Sequence, residues 1–269
     1  MDLSLTPVLI LGGIVTGTIG GMLGLGGGVF LVPFLVIAFN LPMHQAIATS
    51  ILAVIATSSA GAALHLERGL VNIRLGMLLE TTTVAGAILG GVTANFLSGD
   101  TLRHLFAVLL LIVSGLMFWR NRGTGEPSVL DTGAYVSSFR DESSGQQIVY
   151  GAQRVPLLMG ISLIAGNVSG LLGVGGGIFK VPAMTMLGGI PMKASTATSN
   201  FMIGVTAAAS AFIYLAHGHM EPYIVAPTAL GVLGGSFLGI RLSQKLRSSS
   251  LTIIFAAFLL LIAVPLLLR

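Results

Sequence analysis

The sequence predicts an all-α integral membrane protein built from two inverted repeats, and three observations lead there. Hydrophobic residues make up 54% of the chain and charged residues only 8%, with a mean hydropathy of +0.96. Soluble domains carry about 25% charged residues, so this chain is matched to lipid. The block Gly17–Ser50 returns at Gly166–Ser199, with 15 of 34 aligned positions identical at a constant offset of 149. Self-similarity of this kind marks a duplicated structural unit. The third observation is the distribution of arginine and lysine, which fits one threading of the repeats and not the other.

The elements follow in order. A spanning helix needs roughly 17–25 apolar residues. Each half opens with an apolar segment (Pro7–Leu23, Pro156–Leu172), then a glycine run, Gly24-Leu25-Gly26-Gly27-Gly28 or Gly173-Val174-Gly175-Gly176-Gly177. A short apolar piece follows; in the first half it is Val29–Phe39, too short to cross alone as a helix. Three full spans complete each half: His44–Leu66, Leu75–Leu97 and Arg103–Trp119, then Lys193–Ala216, Tyr223–Ile240 and Leu251–Leu268. Residues 1–120 and 154–269 therefore form two transmembrane repeats. Between them, 121–153 is a polar linker whose AYVSSFRD-ESSG-QQIVYGAQ stretch alternates around a Ser-Gly turn, as a short β-hairpin does. The N-terminal MDLSLTPVLILGG lacks the basic region of a cleaved signal and is expected to be the first membrane segment.

If the glycine-broken segment crosses once, basic residues divide five against seven, with Lys180 left out. If it enters and returns as a re-entrant hairpin, Arg68, Arg74, Arg120, Arg122, Arg140, Arg154, Lys193, Arg241, Lys245 and Arg247 share one side. Only Arg103 and Arg269 then face the other. Ten against two obeys the positive-inside rule, and the central loop is expected in the cytoplasm with the N-terminus outside the plasma (inner) membrane. The net charge of +4 belongs to loops and anionic lipid headgroups, not to nucleic acid. Without cysteine, disulfides, thiol nucleophiles and thiolate metal sites are excluded.

Inversion brings the two glycine tips together from opposite faces. Non-helical backbone at membrane depth is tolerated only inside protein or beside a water-filled cavity. Gly24, Gly26, Gly27, Gly28, Gly173, Gly175, Gly176 and Gly177 supply bare backbone N–H groups there, and the short helices that follow point positive dipole ends at the midplane. That chemistry suits an anion. Close helix packing is the alternative use of glycine, and it is the expected role of Gly17, Gly21, Gly166 and Gly170. Lys180, where the first repeat has Leu31, is costly in a membrane segment and is expected to face the substrate anion, with a fixed carboxylate partner as the alternative. Glu80 is a candidate proton-coupling carboxylate, or a partner for Lys180 or Arg74, or an interfacial charge. Thr49-Ser50 and Thr198-Ser199, with Asn200, Asn167 and Ser169, either line the pathway or bond back within the helices. His217-Gly-His219 lacks companion ligands for a metal, and no Walker-type lysine follows the glycines.

The paired G-x-x-x-G-x-x-G-x-G-G-G-x-x-x-x-P blocks, each followed by P-M-x-x-A/S-x-A-T-S, resemble the sulfite exporter TauE/SafE family, also described as the toluene sulfonate uptake permease family. The resemblance spans Pro7 to Leu268. It implies secondary transport of small sulfur-containing anions such as sulfite or an organosulfonate like sulfoacetate. It also marks the glycine tips, Pro33, Pro182 and the Thr-Ser pairs, but not Lys180. The leading expectation is a transporter working by alternating access around the tips. An anion channel with the tips as filter is the second reading, and an intramembrane enzyme or assembly factor the third. No Ser/His/Asp or metal constellation supports catalysis. The expected partners are a small anionic substrate and membrane lipid, with no cofactor; small residues serve internal packing or a homodimer face.

Overall fold

The computed structural model describes residues 5–23, 26–120, 134–140, 145–243, 259–260 and 262–267. Helix α1 (Leu5–Leu23) leads through the first glycine tip to α2 (Gly28–Phe39), followed by α3 (Met43–Glu67), α4 (Ile73–Phe96) and α5 (Gly99–Arg120). Strands β1 (Ala134–Arg140) and β2 (Gln147–Ala152) come next. The second half repeats the order with α6 (Val155–Leu172), α7 (Gly177–Pro182), a π-helical turn (Ala183–Leu187), α8 (Met192–Ala216) and α9 (Pro222–Ser243). Six of these helices are long and apolar enough to cross a membrane. Of the last expected span, 259–260 and 262–267 are helical and the remainder lies outside the described residues.

The repeat is visible in the caps. Asn40 and Gly189, 149 residues apart, both take left-handed backbone, with φ of 50° and 66°. Each lets the next N–H turn back onto the short helix, Leu41 to the Leu35 carbonyl and Ile190 to that of Met184. Pro42 and Pro191 then precede α3 and α8 with nearly the same backbone angles. One difference stands out. α2 runs through Pro33 unbroken, whereas Pro182 ends α7 and the chain widens into the π turn, closed by the Gly188 N–H on the Ala183 carbonyl.

Long helices pack through glycine. In α1, a Cβ on Gly13, Gly17 or Gly21 would meet backbone of Thr228, Val232 and Ser236 in turn. Residue numbers rise together, so α1 and α9 run parallel. α4 and α6 do the same: Gly166 lies on the Thr83 carbonyl and Gly170 on that of Ala87. Lipid tails are as apolar as leucine, so close backbone approach replaces the hydrophobic drive of soluble cores. Large apolar side chains such as Leu11, Phe212 and Leu230 point outward, as lipid contact requires.

Two faces of the bundle are defined by contacts at helix ends. On one, Asn72 ahead of α4 donates its N–H to Thr198 near the start of α8, and its side-chain amide to the Tyr135 carbonyl of β1. This is the hairpin face. On the far face, His44 at the start of α3 stacks on His219, beyond the end of α8. The strands pair antiparallel, Phe139 opposite Ile148 and Arg140 opposite Gln147. Phe139 and Tyr150 enter an apolar cluster with Leu75, Leu79, Leu158, Met184 and Met202, so the hairpin is seated on the bundle rather than free of it. Burial raises the Tyr150 phenol above its ordinary value and keeps it protonated.

Candidate functional site

The two glycine tips share their backbone at the positions described in both. Gly26 and Gly175 both have φ of 81°, and Gly27 and Gly176 have φ of 72° and 67°. L-residues pay a steric cost in this region, so each tip depends on glycine to turn into the next helix. Gly27 and Gly176 cap α2 and α7, and their carbonyls accept the first helical N–H groups, from Phe30 and Leu31 in one half and Phe179 and Lys180 in the other.

Both tips reach one place. A Cβ on either Gly26 or Gly175 would touch the same two residues, Val54 of α3 and Ile203 of α8, which are themselves repeat partners. The tips also touch each other, since a Cβ on Gly28 would run into the Gly173 carbonyl. Ser50 donates its hydroxyl to that carbonyl at 2.8 Å, tying α3 to the second tip. Thr57 donates to the Gly26 carbonyl at 2.9 Å and holds the first. Ser199, the repeat partner of Ser50, is fully buried, and its hydroxyl has no hydrogen-bond partner among the described residues. Cavities of about 540 Å³ (beside Asn40, His44, Asp100 and Arg103) and about 470 Å³ (beside Arg68, Arg140 and Gln147) include no tip residue.

Lys180 sits in the first turn after the second tip with its side chain wholly buried. In sequence no acidic residue lies near it, and an anion is its expected partner. The fold supplies a carboxylate instead: Glu80, on α4 of the other half, lies with Oε2 4.0 Å from Nζ. Thr206 of α8 stands between them, donating to Glu80 Oε1 at 2.6 Å while Lys180 Nζ donates to its hydroxyl at 3.4 Å. Glu80 Oε2 takes no hydrogen bond among the described residues. Thus Glu80 is buried rather than interfacial, and it faces Lys180.

The other candidates divide. Ser169 is buried at the root of the second tip, its carbonyl taking the Gly173 N–H at 2.8 Å. Thr49 bonds back to Gln45 of its own helix, and Thr198 accepts from the Asn72 backbone, so both hydroxyls hold local structure. Asn167 is half-buried, with its backbone in the α4–α6 seam against Gly86 and Gly90. Asn200 is buried against Gly61 of α3. Gly24 lies outside the described residues. Val54, Ile203, Thr57 and Thr206 were missed. Thr57 and Thr206 are identical residues at the offset of 149, the same signal that marks the Thr-Ser pairs.

On the far face His219 lies between two histidines, with ring centroids 4.9 Å from His44 and 6.3 Å from His217. Its Nε2 bonds Asn95 Oδ1 at 3.1 Å. Partial burial, then the neighbouring His44 and His217, hold His219 below its ordinary value of 6.5. The unfolded chain therefore binds a proton here more readily than the folded one, and stability is lost as pH falls through about 6.5. Acidifying from about pH 7.5 to about 5.5 is expected to lower the thermal midpoint, and by less in His219→Gln. An equal drop in the variant would contradict this account.

Comparison with known proteins bears on the whole bundle. A family profile described as sulfite exporter TauE/SafE matches residues 9–266. The chain is 25% identical over 263 residues to the probable membrane transporter protein YunE of Bacillus subtilis, covering 95% of this chain and 94% of that protein. It is 22% identical to YdhB of the same organism, covering 85% of this chain and 86% of that one. Against the probable membrane transporter protein MJ0441 of Methanocaldococcus jannaschii it is 24% identical, covering 96% and 93%. No solved structure matches the chain. With nearly its full length inside the profile and both glycine tips formed, the chain belongs to the sulfite exporter TauE/SafE family of membrane proteins.

Proposed function

We propose that this protein is a secondary transporter of a small sulfur-containing anion, sulfite or an organosulfonate, built from two inverted repeats that rock around the glycine tips. Inversion is supported by helix direction. The start of α3 lies at the far face with the ends of α4 and α8, and the start of α8 lies at the hairpin face with the start of α4. α1 is parallel to α9 and α6 to α4, so the tips approach from opposite faces. The ten-to-two split of basic residues supports a cytoplasmic hairpin face in a plasma-membrane protein.

The observation that carries the reading is the meeting of the tips at Val54 and Ile203. There the first turn of α2 offers backbone N–H groups, and Ser199, one helical turn before Ile203 on α8, has a hydroxyl without a partner among the described residues that could donate to an anionic oxygen. The tips pack against each other in this conformation, Gly28 against the Gly173 carbonyl. That state suits the occluded step of a carrier better than the open filter of a channel.

The test is ligand binding by purified protein. A ligand that binds the native state alone stabilises it by RT ln(1 + [L]/Kd). Sulfite or sulfoacetate is expected to raise the thermal midpoint, with sulfate, taurine and chloride as comparisons. No shift with any sulfur anion would overturn the substrate assignment.

A further inference from the structure

The two buried charges, Glu80 in the first half and Lys180 in the second, have no charged counterparts in the opposite repeats. At the offset of 149, Lys180 matches Leu31 and Glu80 matches Ala229, while Thr206 matches Thr57. The two threonines do different things. Thr57 donates to the Gly26 carbonyl and secures its tip, but Thr206 is turned to Glu80. A symmetric scaffold has thus been modified on one side only, beside the tip that Lys180 follows.

The ion pair itself is loosely made. A buried pair repays its desolvation only with good geometry and with its remaining lone pairs satisfied. Here the charges stand 4.0 Å apart, beyond hydrogen-bond distance, and Glu80 Oε2 is left without a donor. Lys180 is the charged group that faces Glu80 from α7, and α8 contributes the neutral Thr206. A pair intended only to hold the helices together would close that gap; one intended to separate need not. Ionisable groups at membrane depth mark ion and proton pathways.

We infer that Glu80 and Lys180 form a proton-binding site that couples a proton to a monovalent anion at the tips. The inference rests on the anion reading above. In the proton-free state the carboxylate neutralises the ammonium, and the site has no net charge to offer. When a proton bonds to Glu80 Oε2, the carboxylic acid is neutral and Lys180 keeps an unmatched positive charge. The anion then takes the place of the carboxylate as its partner. One proton and one negative charge enter together, so the occupied site is again neutral; both leave together, and nothing is oxidised or reduced. A neutral acid is also a poorer acceptor than a carboxylate. Thr206 is released to take the bond at Gly175 that Thr57 makes at Gly26, which links proton binding to the shape of the second tip.

The test uses the full-length protein and monovalent anions whose own charge is constant over the range studied: methanesulfonate, ethanesulfonate and chloride. For wild type, affinity for the bound monoanion is expected to rise as pH falls, approaching tenfold per pH unit for one linked proton. Glu80→Gln, which keeps the side-chain shape, is expected to bind with an affinity independent of pH. Infrared difference spectra between the two pH limits should show a carboxylic-acid carbonyl band in wild type that Glu80→Gln lacks. If Glu80→Gln does not fold, Thr206→Val keeps both charges and should move the midpoint of the affinity curve. A Glu80→Gln protein with the wild-type pH slope, or a Thr206→Val midpoint that does not move, would overturn the coupling and leave the anion site standing. Wild type that binds none of these anions at any pH would overturn the anion site, and the coupling with it.

Discussion

Lys180→Met alone is expected to destabilise the protein by about 3–5 kcal/mol, the usual cost of stranding one member of a buried pair. The double variant Lys180→Met/Glu80→Gln is expected to recover most of that loss. Removing the lysine leaves Glu80 buried beside Thr206 with no opposite charge. Removing both charges leaves a glutamine that still accepts from the Thr206 hydroxyl, 2.6 Å from Oε1 in the native protein. Thermal unfolding in one detergent, with all four members of the cycle, reads the coupling energy directly. Additive single effects would mean that the two charges act separately and that the 4.0 Å contact contributes nothing. The double variant is expected to be stable yet unable to link anion binding to pH, which separates folding from transport.

Gly28→Ala is expected to disrupt the contact between the two tips directly. Gly28 lies within α2, so its backbone accepts a side chain; the obstacle is space. Its Cβ would collide with the Gly173 carbonyl and stand 2.6 Å from Ser50 Oγ. The carbonyl belongs to the opposing tip and has little freedom to move. Overpacking of this kind costs about 1–3 kcal/mol, which shifts a closed-to-open equilibrium by about 5- to 150-fold. Gly115 is the control, since no atom lies within 4 Å of a Cβ added there. Flux into proteoliposomes should fall in Gly28→Ala and stay unchanged in Gly115→Ala. Equal flux in the two variants would show that tip-to-tip contact is not part of the cycle.

What the sequence disclosed was local and periodic. The offset of 149 carried the starts of α2, α3 and α4 onto those of α7, α8 and α9, because the same caps recur: Asn40 with Gly189, Pro42 with Pro191, Gly27 with Gly176. Hydropathy located α3, α4 and α8 to within two residues at each end, since a membrane span must be apolar over its whole length. Contacts between halves were hidden. Lys180 and Glu80 lie 100 residues apart in different repeats, and neither has a charged repeat partner to flag the pairing. Ser50 and Thr49 look equivalent in the motif, yet adjacent positions on a helix point about 100° apart. One reaches the opposite tip and the other turns back on its own helix. The β-hairpin was legible from its alternation, but its seat against Leu75, Leu158 and Met202 depends on which helix ends the fold collects at one face.

The central claim is that the tips open to each side of the membrane in turn around a bound anion. The chain has no cysteine, so one introduced thiol reports one position without background. Ser199→Cys places it one helical turn before Ile203 on α8, at a buried hydroxyl without a partner among the described residues, in a side chain of nearly the same size. The measurement is its labelling by a membrane-impermeant thiol reagent applied to oriented vesicles from each face, with and without sulfite or sulfoacetate. The account predicts labelling from both faces, slowed from both by the anion. Labelling from one face only, or at a rate the anion does not alter, would contradict it.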